Sequence, residues 1–226
     1  MKDVVLVTGG CQGFGKEIAG LLSNKYQVVI LSRNKKESEK TSKELKCDMY
    51  VCDISDVKQV QSSVDYIKNK YGRLDILINN AAIWKTGELD SSSFNDIAEI
   101  SLINIVGTMN MTKACIPLMK KENKGKIVNI ISVDALEGKS ERSLYVSTKW
   151  AQAGFTNSMR KELEKYNIAV IGIYPGLMNT SLFKNAGKEK DLSNAMDPKE
   201  AARIIEFTLS LDNIVLEQVV FRNLHF

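Results

Sequence analysis

Short apolar runs rich in valine and isoleucine recur along the chain, separated by longer stretches in which apolar residues return every three or four positions. Runs at 4–8, 28–31, 49–52, 74–79, 126–132 and 168–174 are nearly continuous in apolar character, which predicts strands buried on both faces. The stretches at 14–24, 36–45, 57–70, 94–120 and 144–166 predict helices. A further helix is expected over 198–211 and a last strand over 218–222. Strand and helix alternate, so the expected class is α/β, a doubly wound, Rossmann-like parallel sheet of about seven strands with helices on both faces. A single domain over 1–226 holds all of it, without internal repeat, low-complexity tract or linker. The irregular stretch at 179–197 is polar and contains glycine. It follows the C-terminal end of a strand, where such sheets bind ligands, and is read as a substrate lid, with a plain surface loop as the alternative.

Composition narrows the function classes more than the fold. The 226 residues are 44% hydrophobic and 26% charged, with a net charge of +4. The lysines are scattered along helical flanks, as on solvated faces, so no nucleic-acid partner is expected. No apolar run reaches membrane-spanning length, and the first predicted strand starts too early to leave room for a signal peptide. A cytoplasmic location without membrane partners is therefore expected. Cys11, Cys47, Cys52 and Cys115 lack CxxC spacing and are read as free thiols. The one histidine, His225, is read as a tail residue, which leaves a Ser-His-Asp hydrolase or a histidine metal site hard to build; no metal is expected.

After the first strand the chain reads Thr8-Gly9-Gly10-Cys11-Gln12-Gly13-Phe14-Gly15, then a helix. A doubly wound fold holds a pyrophosphate at this place, because glycines allow a tight turn and the helix N-terminus presents amide donors. Gly10, Gly15 and Lys16 also satisfy the start of a P-loop, but Glu17 stands where a serine or threonine would ligate magnesium. A triphosphatase is therefore the weaker reading.

Tyr145 and Lys149 are four residues apart in a predicted helix and share one face, with Ser132 thirteen residues before the tyrosine. An unperturbed tyrosine titrates at ~10, so bringing it to neutrality requires a change of roughly 3 pH units, or about 4 kcal/mol. A nearby ammonium is expected to supply much of it by favouring the phenolate. The spacing recurs at Tyr66 and Lys70, where the residue thirteen positions upstream is Asp53 and not a hydroxyl; that second pair is read as a solvated helix flank.

The glycine turn, Asn79-Asn80-Ala81, Ser132 and the Tyr145–Lys149 pair occur in the order of a known set, and the chain resembles a short-chain dehydrogenase/reductase of the single-domain kind. The resemblance runs from Val4 to about Phe221. It implies hydride transfer between a nicotinamide cofactor and a carbonyl or alcohol, with Tyr145 as general acid/base, Ser132 donating to the substrate oxygen, and Lys149 holding the ribose. It gives Asn104 a water in a proton relay. The implied cofactor residues are Gly9, Cys11, Gln12, Gly13, Phe14 and Gly15 in the turn, Ser32 and Arg33 after the second strand, and Asp53 at the adenine edge. Asn80 and Ala81 stand beside the ribose, and Tyr145 and Lys149 belong to this set too. Pro175, Gly176, Met178 and Thr180 complete it at the nicotinamide end. Ala82 departs from the usual glycine of this motif, and the C-terminus lacks a glycine-rich close.

Ser32 stands where an acid would bond a ribose 2′-hydroxyl, and Arg33 is suited to pair with a 2′-phosphate. NADP is the expected cofactor, with NAD possible; Gln12, where many NADP-preferring members carry a basic residue, argues the other way. A dinucleotide-binding sensor without turnover is the alternative function, against which the intact Ser132-Tyr145-Lys149 set counts. Trp84, Leu136, Leu177, Leu182 and Phe183 are candidate apolar walls for a small carbonyl or alcohol substrate. The helices at 94–120 and 144–166 carry apolar residues around much of their circumference, as helices buried on a second face would, and the resemblance implies a homo-oligomer, dimer or tetramer, through them.

Overall fold

The computed structural model describes residues 2–187, 189 and 191–224. Its order is β1 (Val4–Thr8), α1 (Gly13–Leu22), β2 (Gln27–Ser32), α2 (Lys35–Leu45), β3 (Asp48–Val51), α3 (Val57–Tyr71) and β4 (Ile76–Asn79). Then follow α4 (Phe94–Ser101), a π-helical segment (Leu102–Gly107), α5 (Thr108–Glu122), β5 (Gly125–Ile130) and α6 (Ser143–Leu163). The last elements are β6 (Ile168–Pro175), the short α7 (Leu182–Asn185), α8 (Pro198–Ser210) and β7 (Gln218–Phe221). The seven strands form one parallel sheet in the order β3-β2-β1-β4-β5-β6-β7.

Successive strand residues feed opposite faces of the sheet, which is why the strands read as unbroken apolar runs. Val4, Leu6, Val29 and Leu31 pack with Val60, Val64 and Ile67 of α3 and Met111 and Cys115 of α5. Val5, Val7, Val28 and Ile30 pack on the other face with Phe14, Ile18 and Leu22 of α1 and Ala202, Ile205 and Leu209 of α8. The four-residue spacing of Phe14, Ile18 and Leu22 places one stripe of α1 on the sheet. Side chains cap several helix starts: Asn34 for α2, Asp56 for α3, a Ser93–Asp96 capping box for α4 and Asp197 for α8.

The chain leaves β1 toward β2 and β3 on one side, then crosses to β4 on the other. The sheet therefore switches direction between β1 and β4, and a crevice opens at the C-terminal ends of those strands.

Two segments differ from the sequence expectation. The single helix expected over 94–120 is broken by the π-helical turn at Leu102–Gly107. Asn104 inside it is buried and its side chain is tied outward, while the Thr108 hydroxyl donates to the Asn104 carbonyl at 2.8 Å. Of these bonds only that of Thr108 takes a helix carbonyl, the i−4 acceptor of the regular ladder. The stretch at 179–197 is not wholly irregular: it contains α7, and Met178 and Met196 form a parallel bridge. His225 lies outside the described residues. All four cysteines are buried and unpaired.

Candidate active site

A cleft of about 700 Å³ runs along the switch point. One end is the turn after β1. Gly9 and Gly13 have φ of +65° and +53°, which a residue with a Cβ adopts only under strain. A Cβ on Gly15 would lie 2.4 Å from both the Asn80 amide nitrogen and the Gly9 carbonyl oxygen, so α1 approaches the turn as closely as the backbone permits. The Asn80 amide donates to the carbonyls of Thr8 (3.0 Å) and Gly9 (3.3 Å), and Thr8 Oγ1 accepts from the backbone N–H groups of Asn80 and Ala81. The turn is thus stitched to the end of β4. Gln12 stands at the N-cap of α1 and makes no side-chain cap bond. The first-turn amides of α1 are left for a ligand, at the positive end of the helix dipole. This cradle fits a dinucleotide pyrophosphate. It does not fit a P-loop, because Lys16 is turned away to an ion pair with Glu44 at 2.8 Å.

Beyond the turn, the cleft wall includes Ser32, Arg33 and Asp53. Arg33 pairs with Asp53 at 3.6 Å, and the Asp53 carboxylate also accepts from the Ser55 amide and hydroxyl. The Ser32 hydroxyl accepts from the Cys11 thiol (3.0 Å) and the Asn34 amide (3.2 Å). Cys11 itself, Gly15 and Asn104 stand behind the wall. The other expected residues line it: Gly9, Gln12, Gly13, Phe14, Asn80, Ala81, Pro175, Gly176, Met178 and Thr180, with Ser132, Tyr145 and Lys149 at the far end.

β5 ends at Ile130, two residues before Ser132. The Ser132 hydroxyl accepts from the Asp134 amide at 3.1 Å, capping the one-turn 3₁₀ helix Val133–Ala135 and fixing its rotamer. α6 begins at Ser143 and brings Tyr145 and Lys149 to the cleft on one face, both buried. The Lys149 ammonium lies 5.5 Å from the Tyr145 ring centre. It donates to the Ile130 carbonyl (3.2 Å) and to Gln152 Oε1 (2.7 Å). Burial lowers the Lys149 pKa to about 7, against the buried Asp134 carboxylate, which draws it up.

Here the structure reverses a sequence expectation. Burial raises the Tyr145 pKa; Asp134 adds to the rise, while a hydrogen bond with Ser132 and the charge of Arg142 oppose it. Desolvation of the phenolate outweighs any help from Lys149, which is itself desolvated. Tyr145 is accordingly held as a neutral phenol, the form that donates a proton.

The substrate end mixes apolar and charged walls. Trp84, Leu177, Leu182 and Phe183 line it as expected, with Trp84 and Phe183 edge-to-face at 4.8 Å. Leu136 is not in the wall and is 43% exposed. Sequence reasoning did not single out Asp134, ion-paired with Lys139 (3.0 Å) and Arg142 (3.3 Å), or the Lys85–Glu99 pair at 2.9 Å. It also missed Gln152. The available signal was a polar residue three positions after Lys149, on the same face of a helix.

A parallel sheet with a glycine cradle at its switch point and a buried serine–tyrosine–lysine cluster opposite defines a dinucleotide-dependent oxidoreductase. The comparisons agree: the sequence model described as short chain dehydrogenase matches residues 3–191, and the chain belongs to this family, whose members act on CH–OH and C=O groups. It is 33% identical to carbonyl reductase family member 4 of Xenopus laevis over 92% of each chain. It is 31% identical to the 3-oxoacyl-[acyl-carrier-protein] reductase FabG of Thermotoga maritima, over 92% of this chain and 90% of that protein. Among solved structures, ElxO with NADP bound superposes with a TM-score of 0.88 at 31% identity, covering 98% of both chains.

Proposed function

We propose that this protein is an NADP(H)-dependent reductase of small ketones or aldehydes. The observation that carries this reading is the convergence of the buried Tyr145 and Lys149, on one face of α6, with Ser132 at one end of a cleft that continues to the glycine cradle. When bound, the cofactor supplies a hydride to the carbonyl carbon. Ser132 donates to the substrate oxygen and strengthens that bond as negative charge grows there. Tyr145 gives its proton to the same oxygen, and takes it back in alcohol oxidation. Lys149 keeps a donor for the ribose hydroxyls. Gly9, Gln12, Gly13, Phe14, Asn80 and Ala81 hold the pyrophosphate and ribose, with Cys11 and Gly15 shaping the turn from behind. Pro175, Gly176, Met178 and Thr180 hold the nicotinamide end.

NADP is supported by the Ser32 hydroxyl, whose two accepted bonds leave its proton free to donate, by Arg33 at the cleft edge, and by the NADP in ElxO. The mixed walls suit a carbonyl compound with both apolar and polar parts. Phe94, Leu102, Val106, Met109 and Trp150 are exposed on α4, the π segment, α5 and α6, which supports a homo-oligomer through these helices. Four buried thiols suit a cytoplasmic protein, and among the described residues no helix is long and apolar enough to cross a membrane. Steady-state reduction of a ketone and aldehyde panel with NADPH and NADH tests the reading. Turnover with a higher kcat/KM for NADPH is expected; a preference for NADH overturns the cofactor assignment, and cofactor binding without turnover of any carbonyl favours the sensor.

A further inference from the structure

Gln152 is buried, 2% exposed, and both polar atoms of its amide are engaged. Oε1 accepts from Lys149 Nζ at 2.7 Å, and Nε2 donates to the Asn104 carbonyl and to Thr108 Oγ1, both at 2.9 Å. The orientation of this amide is forced. An ammonium only donates, so the oxygen must face Lys149; a carbonyl only accepts, so the nitrogen must face Asn104. Thr108 spends its own proton on the same Asn104 carbonyl at 2.8 Å. That carbonyl therefore already takes two hydrogen bonds, which fill its lone pairs. The Asn104 side chain is equally committed, to the Ile83 amide (2.8 Å), the Ile83 carbonyl (2.9 Å) and Thr148 Oγ1 (3.2 Å). The link from Lys149 to the π segment passes through a side-chain amide, where the resemblance to the family places a water held by Asn104.

We propose that Gln152 is a positioning residue of this site, whose amide clamps the Lys149 ammonium to the π segment and sets the proton affinity of the Tyr145–Lys149 pair. The inference rests on the reading of Tyr145 as the acid/base. Of the three donors of Lys149, one goes to Ile130 and one to Gln152, which leaves a single N–H aimed by the other two. Among the described residues, the titratable and charged groups around Lys149 are few. Tyr145 lies on its own helix, and Asp134, with Lys139 and Arg142 upon it, faces it from the turn after β5. β5 presents the neutral Ile130 carbonyl, and the π segment and α5 present the neutral Asn104 and Thr108. On α4, Glu99 is spent on Lys85. Gln152 is thus the closest neutral dipole favouring the ammonium, and its replacement acts on the pair as a unit.

The test is the acid limb of the pH profile of kcat/KM for alcohol oxidation with NADP, in wild type and two near-isosteric variants. Gln152→Glu puts a carboxylate against the ammonium, so the pair holds its proton more tightly and the limb moves to higher pH. Gln152→Leu removes the acceptor, so the limb moves to lower pH, each shift being about 1 pH unit. Thr108→Val, which removes one acceptor of Nε2 together with the hydroxyl's own bond to the Asn104 carbonyl and leaves the Lys149–Oε1 contact in place, should move the limb in the direction of Gln152→Leu by less. It serves if Gln152→Leu does not fold, as thermal unfolding reports. A purely structural Gln152 would lower stability or turnover with the limb unmoved in all variants, and that result overturns the inference. Tyr145→Phe, assayed alongside, separates the failures: wild-type-like turnover there overturns the acid/base reading itself, whereas an inactive Tyr145→Phe with unmoved limbs overturns only the role of Gln152.

Discussion

On α3, Lys70 Nζ donates to the Tyr66 hydroxyl at 3.0 Å and lies 5.4 Å from the ring centre. On α6, Lys149 Nζ lies 5.5 Å from the centre of the Tyr145 ring and bonds Ile130 and Gln152 instead. The two pairs share the same spacing and almost the same ring geometry, because a helix sets both. Their surroundings differ. Lys70 is 43% exposed and paired with Asp48 at 2.5 Å, and bonds to Asp48 and Tyr66 raise its pKa. Lys149 is buried, and desolvation brings its pKa to about 7. Tyr145 differs from Tyr66 in its burial, its neighbour Ser132 and the cleft in front of it.

The strongest way to break this comparison is to remove each hydroxyl. Tyr145→Phe should lose roughly 10³-fold or more in kcat, in line with loss of a general acid, while still binding NADPH; Tyr66→Phe should keep wild-type kcat. Fluorescence titration of NADPH beside the kinetics checks both halves.

Stability against pH separates the lysines by sign. Lys149 has a folded pKa of about 7, below its unfolded value of 10.5, so between these the unfolded chain binds more protons and stability rises with pH. Lys149→Met lacks this slope: relative to wild type it should be most favoured below pH 7 and least near pH 10, a swing on the order of a few kcal/mol. Lys70 has a raised folded pKa, so its contribution is present below 10.5 and lost above the folded value. Lys70→Met should therefore show the opposite and much smaller trend, within about 1 kcal/mol. Urea unfolding across the pH range reads both.

A smaller effect is expected from Asp134→Asn. The Asp134 charge raises the pKa of both Tyr145 and Lys149, so its removal should shift the acid limb of alcohol oxidation to lower pH, by up to about 1 unit. An unchanged limb would mean that Lys139 and Arg142 already neutralise it. The smallest effect belongs to Asp48→Asn, which weakens the Lys70 pair and should leave the oxidation profile where it was.

The alternation of apolar runs made the parallel sheet legible, since strands buried on both faces and helices with one apolar stripe have distinct periods. The glycine turn and the Ser132, Tyr145 and Lys149 set were legible as residue types at fixed spacing, and the structure brings them to one cleft. The π turn was not legible: Asn104 within it is buried against Ile83 and Thr148, partners that local spacing does not reveal. Nor was the direction of the Tyr145 shift. The spacing to Lys149 is local, but the desolvation that overrides it comes from the whole cleft wall. Gln152 was visible only as a polar residue on a helix face; its role emerges when Lys149, Asn104 and Thr108 converge on one amide.

The central claim is tested most directly by label transfer. With NADPH deuterated at both C4 positions of the nicotinamide and a ketone that the protein reduces, the carbinol carbon of the product should carry deuterium in the wild type and in Tyr66→Phe, and Tyr145→Phe should form almost no labelled alcohol. Labelled alcohol from Tyr145→Phe at the wild-type rate, or no label transfer by the wild type to any carbonyl, would contradict the account.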